Sequence, residues 1–238
     1  MNTLVLTAHG SKDPRSAANV RAVAGRLARM RPGLDVQTAF LEQNSPRLVD
    51  VLAGLPTTRR AVVCPLLLAS AYHARVDIPE QIARAGACGV RQADVLGEDD
   101  RLVSVLRERL AAVGVSDHDS GLGVLLAAIG SSDAAANART ATVAAKLATG
   151  TRWAGTVMAF VTGPDPALAE AAEQLRRGGA RRLVIAPWFL ASGLLPDRVA
   201  AYARQTRIAM AQPLGAHRLV AETVLERFEQ APAHRVAA

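Results

Sequence analysis

The chain has 238 residues, enough for one large α/β domain or two domains of half that size, each with its own core. Half of the residues are hydrophobic but only 3% are aromatic, so the core must consist mainly of Ala, Val and Leu. The formal net charge of +7 comes almost wholly from arginine, and it fits either a solvated surface or a cleft for an acidic ligand. Because no basic stretch contains interspersed aromatic residues, we expect no nucleic-acid partner.

The first predicted element is a short apolar run, Leu4 to Ala8, that ends in His9 and breaks at Gly10 and Ser11. This pattern predicts a buried strand and a βα turn, with His9 at the carboxyl end of the strand. Further strands are predicted over 34–41, 60–68 and 90–96, and helices over 16–30, 48–55, from 80 onward and over 99–113. Such alternation is typical of a parallel, doubly wound sheet, whose ligands bind where the strands end.

The pattern begins again after a predicted linker over 114–123. With an offset of 120, residues of the first strand, turn and helix recur, among them Leu6, Gly10 and Ser11 as Leu126, Gly130 and Ser131. We therefore predict two pseudo-symmetric α/β halves of Rossmann or flavodoxin type, each a parallel sheet flanked by helices, with domains over 1–114 and 115–238.

Three residues that could carry chemistry in the first half are replaced in the second. His9, Glu42 and His73 correspond to Ile129, Thr162 and Leu195. A single histidine after a strand is usually a satisfied polar residue, and a single glutamate in a loop is usually solvated. All three, however, follow predicted strands and all three are lost together, which favours a functional cluster at one sheet edge. Two imidazoles and a carboxylate suit a divalent transition metal with open coordination positions.

The remaining histidines and the cysteines carry no such pattern. His118, His217 and His234 lie in the linker, at a late helix start and in the tail, and are interpreted as structural or surface residues. Cys64 and Cys88 form neither a disulfide framework nor a zinc spacing, which fits a reducing cytoplasm. Prolines interrupt the longest apolar runs well short of a span of about 20 residues, so we expect a cytoplasmic protein without a membrane partner.

The cluster lies in three stretches with a family resemblance. These are Thr7-Ala-His9-Gly-Ser11, Phe40-Leu-Glu42, and Pro65 through His73 to Asp77-Ile-Pro79. Together they resemble the CbiX/SirB branch of the class II tetrapyrrole chelatases, whose long members are likewise duplicated with the site in the amino-terminal half. The pair Ala71-Tyr72 departs from the family, which commonly has a glycine before the histidine.

The resemblance implies a chelatase that inserts Fe(II) or Co(II) into sirohydrochlorin, in sirohaem or cobalamin biosynthesis, and releases two protons. No organic cofactor is implied; the divalent metal is a substrate, with nickel as a further candidate. His9 and His73 would be the catalytic residues, and Glu42 would complete the metal ligands or relay protons. Asp77 would orient His73, although a helix N-cap role explains it equally well. The candidates for binding the substrate carboxylates are Gly10, Ser11, Arg15 and Arg75.

Two other interpretations remain open from the sequence. A carrier that binds the metal or tetrapyrrole without catalysis would need the same ligands. Histidine phosphatases also begin with a strand ending in His-Gly, but Ala8 and Ser11 stand here where that family has an arginine and an acidic residue. Because the chain carries both halves, a monomer is expected.

Overall fold

The computed structural model describes residues 3–56, 60–87, 89–162 and 167–231. The strands are β1 (Thr3–Ala8), β2 (Asp35–Phe40), β3 (Ala61–Pro65), β4 (Val90–Gln92), β5 (Leu122–Ala128), β6 (Gly155–Phe160), β7 (Arg182–Trp188) and β8 (Ala209–Met210). The α-helices are α1 (Pro14–Met30), α2 (Leu48–Ala53), α3 (Ile78–Arg84), α4 (Asp100–Ala111), α5 (Ala134–Ala148), α6 (Leu168–Arg177), α7 (Leu194–Thr206) and α8 (Arg218–Gln230). A π-helical turn, His73–Asp77, leads directly into α3.

The strands form two parallel four-stranded sheets. Their orders are β2-β1-β3-β4 and β6-β5-β7-β8, so the first strand of each sheet has neighbours on both sides. The registers also repeat, since Ala8 pairs with Phe40 and Ala128 pairs with Phe160. The predicted fold class is confirmed, and the repeat in the sequence corresponds to a repeat of the sheet.

The two central strands are buried along their whole length. Every residue of β1 and of β5 is buried, which is expected when helices cover both faces of a parallel sheet. Val5 and Leu125 each belong to a core cluster built largely of alanine, valine and leucine, as the composition predicts. The polar residues at the ends of these strands are therefore the first that solvent or a ligand can reach.

The described residues form two compact units. Those up to Gly97 and from Ala216 onward make the first unit, and Glu98–Gly215 make the second. Accordingly, α8 packs on α1 and β3, whereas α4 packs on α5 and β7. The division differs from the predicted boundary at residue 114. The periodicity of α4 defines its apolar face but does not determine which sheet that face covers.

The fourth predicted strand is shorter than the sequence indicates. Regular pairing ends at Gln92, although Ala93 and Leu96 still donate backbone hydrogen bonds to Val63 and Leu67. Val90, Ala93 and Leu96 are thus buried, but only the first part of the segment 90–96 is a strand.

The structure also bears on the cysteines, on His234 and on the predicted lack of a membrane span. Cys64 is buried, and desolvation raises the pKa of its thiol. Cys88 and His234 lie outside the described residues. Among the helices that the structure describes, none is both long and apolar enough to cross a bilayer.

Candidate functional site

Three neighbouring strands bring His9, Glu42 and His73 to one edge of the first sheet. His9 follows β1 directly, and Glu42 lies just beyond β2. His73 begins the π-helical turn that follows β3. Because β1 lies between β2 and β3 in a parallel sheet, the three carboxyl ends are adjacent.

The side chain of His9 contacts those of both Glu42 and His73. His9 Nε2 is 3.2 Å from Glu42 Oε1. The rings of His9 and His73 have their centroids 4.1 Å apart, with an interplanar angle of 88°. The side chains of His9, Glu42 and His73 are 38%, 47% and 42% exposed, respectively, so a ligand can reach all of them. The structure thus brings together the three residues that the sequence predicts to lie at one sheet edge. Their chemical roles stay predictions.

The hydrogen bonds of His9 determine which ring nitrogen faces Glu42. Nδ1 lies 3.0 Å from the carbonyl oxygen of Gly10, and since a carbonyl only accepts, Nδ1 carries the hydrogen. Nε2 then points its lone pair toward a carboxylate that is also an acceptor. The contact is favourable only when a proton or a cation lies between the two atoms, which is the property required of a metal-accepting pair.

Gly10 allows the loop after β1 to lie against the loop after β2. Its φ is +97°, and a Cβ built there would lie 1.8 Å from the carbonyl oxygen of Glu42. Two backbone hydrogen bonds continue the sheet at this point, from Leu41 to Ala8 and from Glu42 to His9. Only glycine combines this backbone conformation with so close an approach.

Asp77 contacts His73 within the π-helical turn. His73 Nδ1 is hydrogen-bonded to Asp77 Oδ2, four residues later in the chain. The carboxylate accepts, so Nδ1 carries the hydrogen and Nε2 keeps its lone pair for a ligand. Asp77 makes no side-chain cap of α3, which removes the alternative explanation for this residue.

The π-helical turn leaves one of its carbonyls to be satisfied from outside the helix. Ile78 N–H donates to His73, and Pro79 has no N–H with which to satisfy the next carbonyl, that of Ala74. The Ala74 carbonyl accepts instead from Gln92 Nε2, at 2.7 Å. Gln92 on β4 therefore supports the turn that presents His73.

The predicted carboxylate-binding residues are partly engaged with the protein itself. The backbone N–H of Ser11 donates to Asn44 Oδ1 at 2.7 Å, and the Ser11 hydroxyl accepts from Asp13 N–H. Arg15 donates from Nε to Asp13 Oδ1 at 3.0 Å. Arg75 is exposed in the same turn as His73. The Ser11 amide is thus already satisfied, which differs from the predicted role of that amide in holding a substrate carboxylate.

The residues of the cluster do not form a preformed metal cage. Within residues 3–56, 60–87, 89–162 and 167–231, no three His, Cys, Asp or Glu side chains are already arranged to hold one ion. His9, Glu42 and His73 would therefore adjust their rotamers to ligate it together.

The corresponding edge of the second unit has different chemistry. Ile129 occupies the position of His9 and is 45% exposed. Thr162 occupies the position of Glu42, and its hydroxyl donates to the carbonyl of Gly130 at 3.4 Å. The titratable cluster thus belongs to the first unit.

A comparison with protein-family models identifies the family. The model of the CbiX family matches residues 3–113 and again residues 123–231. The chain belongs to the CbiX family. The two matches confirm the predicted resemblance and place one copy of the family's repeat in each half of this CbiX chain.

Individual relatives agree with this assignment. A sirohydrochlorin ferrochelatase of Priestia megaterium is 29% identical over 209 residues, which cover 84% of this CbiX chain and 77% of the relative. A sirohydrochlorin cobaltochelatase of the same organism is 26% identical over 223 residues, 87% of this chain and 70% of the relative. The solved structure of SirB from Bacillus subtilis with Fe3+ has a TM-score of 0.81 and 22% identity, covering 96% and 94% of the two chains. This last likeness supports the fold.

Several residues around the CbiX site were not predicted from the sequence to be site residues. Asn44 and Gln92 carry short amide side chains whose importance depends on contacts with distant loops. Gln81 Nε2 likewise donates to the carbonyl of Leu41, at 3.2 Å. Tyr72 is 61% exposed beside His73, with ring centroids 6.2 Å apart. Of these, only Tyr72 had a visible signal, because an aromatic residue is rare in this chain.

Asp13 gives a pH-dependent contribution to stability. It caps α1, and the hydrogen bonds from Arg15 lower the pKa of its carboxyl to about 2. A pKa lowered in the folded state contributes stability that is fully present above pH 4 or so and is lost as the pH falls toward 2. We expect Asp13→Ala to lower the melting temperature at pH 7. Near pH 2, the melting temperatures of the variant and the parent should become similar. Melting curves across that range test this, and a difference independent of pH would contradict it.

Proposed function

We propose that this CbiX-family chain inserts a divalent metal ion, Fe(II) or Co(II), into sirohydrochlorin and releases two protons. The observation that carries the proposal is the contact of His9 with both Glu42 and His73 at the open edge of the first sheet. The family supports it, because two relatives with which most of the chain aligns are a sirohydrochlorin ferrochelatase and a sirohydrochlorin cobaltochelatase.

The three residues have complementary roles in this reaction. Each imidazole has its Nδ1 hydrogen bonded within the protein, so Nε2 is the atom that meets the incoming ion. Once the ion has passed from His9 Nε2 to the macrocycle, that nitrogen accepts the two protons that the pyrrole nitrogens lose, one after the other, and Glu42 passes each of them to solvent. Asp77 holds the ring of His73 in the orientation that the ion requires.

The choice between iron and cobalt does not follow from these ligands. Imidazole and carboxylate bind both ions, with an affinity that depends on the ion more than on the site. We therefore propose both metals as substrates, and with them either sirohaem or cobalamin biosynthesis as the pathway. The same chain supplies both units, so we propose that it acts as a monomer.

The substrate is a flat macrocycle rimmed with carboxylates. The excess of arginine on the chain attracts such an anion over long range. Arg75 lies within the turn that carries His73, where a guanidinium can pair with a carboxylate at the rim of the macrocycle. Tyr72 exposes its ring next to His73 and offers an apolar face to the macrocycle.

We expect Tyr72→Ala to raise the KM for sirohydrochlorin by about threefold to tenfold, the worth of one aromatic contact. Because the side chain is largely exposed, the melting temperature should change little. Tyr72→Phe keeps the ring and serves as the matched control, with a KM near that of the parent. Steady-state kinetics at saturating metal test this; an unchanged KM in Tyr72→Ala would exclude the contact.

The direct test of the proposed function is anaerobic insertion under multiple turnover. Sirohydrochlorin in excess over the protein, with Fe(II) or Co(II), should give metallated product faster than the mixture without protein. Product that stops at one equivalent would identify a carrier instead. Competition between the two metals in the same assay then ranks them.

A further inference from the structure

We propose that Asn44 is a positioning residue of this site, one that holds the loop of His9 against the loop of Glu42. The inference rests on the proposed function, since it concerns how the protein holds the metal ion. Asn44 touches neither His9 nor Glu42 with its side-chain oxygen; it acts through the backbone of both loops.

The side chain and the backbone of Asn44 connect the two loops. Its Oδ1 accepts a hydrogen bond of 2.7 Å from the backbone N–H of Ser11. Its own N–H donates a hydrogen bond of 2.7 Å to the carbonyl of Glu42. The amide orientation is unambiguous, because a backbone N–H requires an acceptor and only Oδ1 is one. One residue thus fixes Ser11, two positions after His9, relative to the backbone of Glu42.

The loops after β1 and β2 approach each other closely, and the second contains a strained residue. Gly10 lies so near the Glu42 carbonyl that a methyl group could not be placed between them. Gln43, between Glu42 and Asn44, has a φ of +63°, a left-handed conformation that costs free energy for a residue with a side chain. The hydrogen bond from Ser11 helps to offset this cost. Without this hydrogen bond, we expect the Glu42 loop to adopt a less strained conformation. The distance between His9 and Glu42 then changes.

The second unit satisfies the equivalent amide in another way. Ser131, the counterpart of Ser11, donates its N–H to Asn137 Oδ1 at 2.8 Å, and Asn137 Nδ2 donates back to the Ser131 carbonyl at 2.7 Å. Asn137 belongs to α5, so both bonds stay within a single loop and the helix that follows it. The first unit has Ala17 at the position of Asn137 and takes its acceptor from the neighbouring loop. The unit with the histidines and the glutamate is therefore the one whose serine amide links two loops.

This difference supplies a matched pair of variants. Asn44→Leu keeps the approximate size of the side chain and removes the acceptor of the Ser11 amide. Asn137→Leu does the same to the Ser131 amide in the second unit. Each leaves one backbone N–H without its partner, and Asn137→Leu also removes the bond to the Ser131 carbonyl, so Asn137→Leu should lose at least as much thermal stability as Asn44→Leu. Asn44→Asp keeps an oxygen that accepts from Ser11 and serves as the rescue variant.

The measurement is the affinity for Co(II) alone, obtained by titration of the full chain at fixed pH. We expect Asn44→Leu to weaken binding about tenfold or more, as removal of a residue that orients metal ligands commonly does. Asn137→Leu should bind Co(II) within about twofold of the parent, and Asn44→Asp within about threefold. In the insertion assay, Asn44→Leu should raise the KM for metal while leaving the KM for sirohydrochlorin unchanged.

The outcomes separate this inference from the proposed function. If the parent chain binds and inserts metal but Asn44→Leu binds Co(II) as tightly as the parent, Asn44 has no positioning role. Equal losses of Co(II) affinity in Asn44→Leu and Asn137→Leu would also overturn the inference. So would an Asn44→Asp variant that binds Co(II) as weakly as Asn44→Leu. A parent chain that binds Co(II) but inserts no metal refutes the proposed function and leaves the effect of Asn44 on binding measurable.

Discussion

Replacing His9 or His73 with alanine is expected to abolish metal insertion at limiting metal, with a rate at least about 100-fold below that of the parent. His9 loses the nitrogen that faces Glu42 at 3.2 Å, and His73 loses the ring that packs against His9. Both side chains are partly exposed, so little apolar burial is lost and the fold should persist. Initial rates with Fe(II) or Co(II) below saturation, together with circular dichroism melting curves, measure the two effects.

Two substitutions serve as controls for this prediction. His118→Ala removes an exposed histidine of the second unit and should leave insertion unchanged. Ile129→Ala alters the counterpart of His9, and any effect should be on stability alone. Full activity in both His9→Ala and His73→Ala would place the site elsewhere. A large loss of turnover in a folded Ile129→Ala would instead assign chemistry to the second unit.

Gly10→Ala is expected to remove metal binding and to destabilise the protein by about 3 kcal/mol or more, because it combines overpacking with a strained backbone. The new Cβ would start 1.8 Å from the Glu42 carbonyl oxygen, at a φ of +97°. The loops after β1 and β2 must separate to admit it, which takes His9 away from Glu42. Chemical denaturation and Co(II) titration of the folded variant measure the two consequences.

The matched control is Gly86→Ala in the same unit. Gly86 also has a positive φ, +59°, but nothing lies within 4 Å of a Cβ built there. In that variant, the left-handed backbone should lower the free energy of unfolding by only about 1 to 2 kcal/mol. Its metal affinity should not change. If Gly10→Ala were no worse than Gly86→Ala, the close approach of the two loops would not be needed for the site.

The fold could be predicted from local patterns because each signal is repeated. Apolar runs of strand length alternate with helical periodicity, and the second half repeats the first with an offset of 120. The repeat also separated the scaffold from candidate chemistry, since Ile129 stands where the first half has His9. Burial of both faces makes β1 and β5 continuously apolar, and such strands are readily recognised.

Other features depend on contacts between residues far apart in the sequence. The position of α4 on the second sheet could not be predicted, because an amphipathic helix does not specify its partner. Asn44 and Gln92 gave no signal, since an asparagine or glutamine is as common on a solvated surface as beneath a functional loop. The use of the Ser11 amide by Asn44 was likewise hidden, although Ser11 itself lies in a recognisable turn.

The sequence by itself determined the α/β class, the duplication and the three candidate residues, because strand and helix periodicity is local and the repeat provides an internal comparison. The tertiary structure alone decided that His9 touches both Glu42 and His73, which nitrogen of each ring is available, and which residues hold the loops together. Those facts depend on the register of parallel strands and on the path of the loops. Both are set by packing across the whole unit, and no short stretch of sequence encodes them.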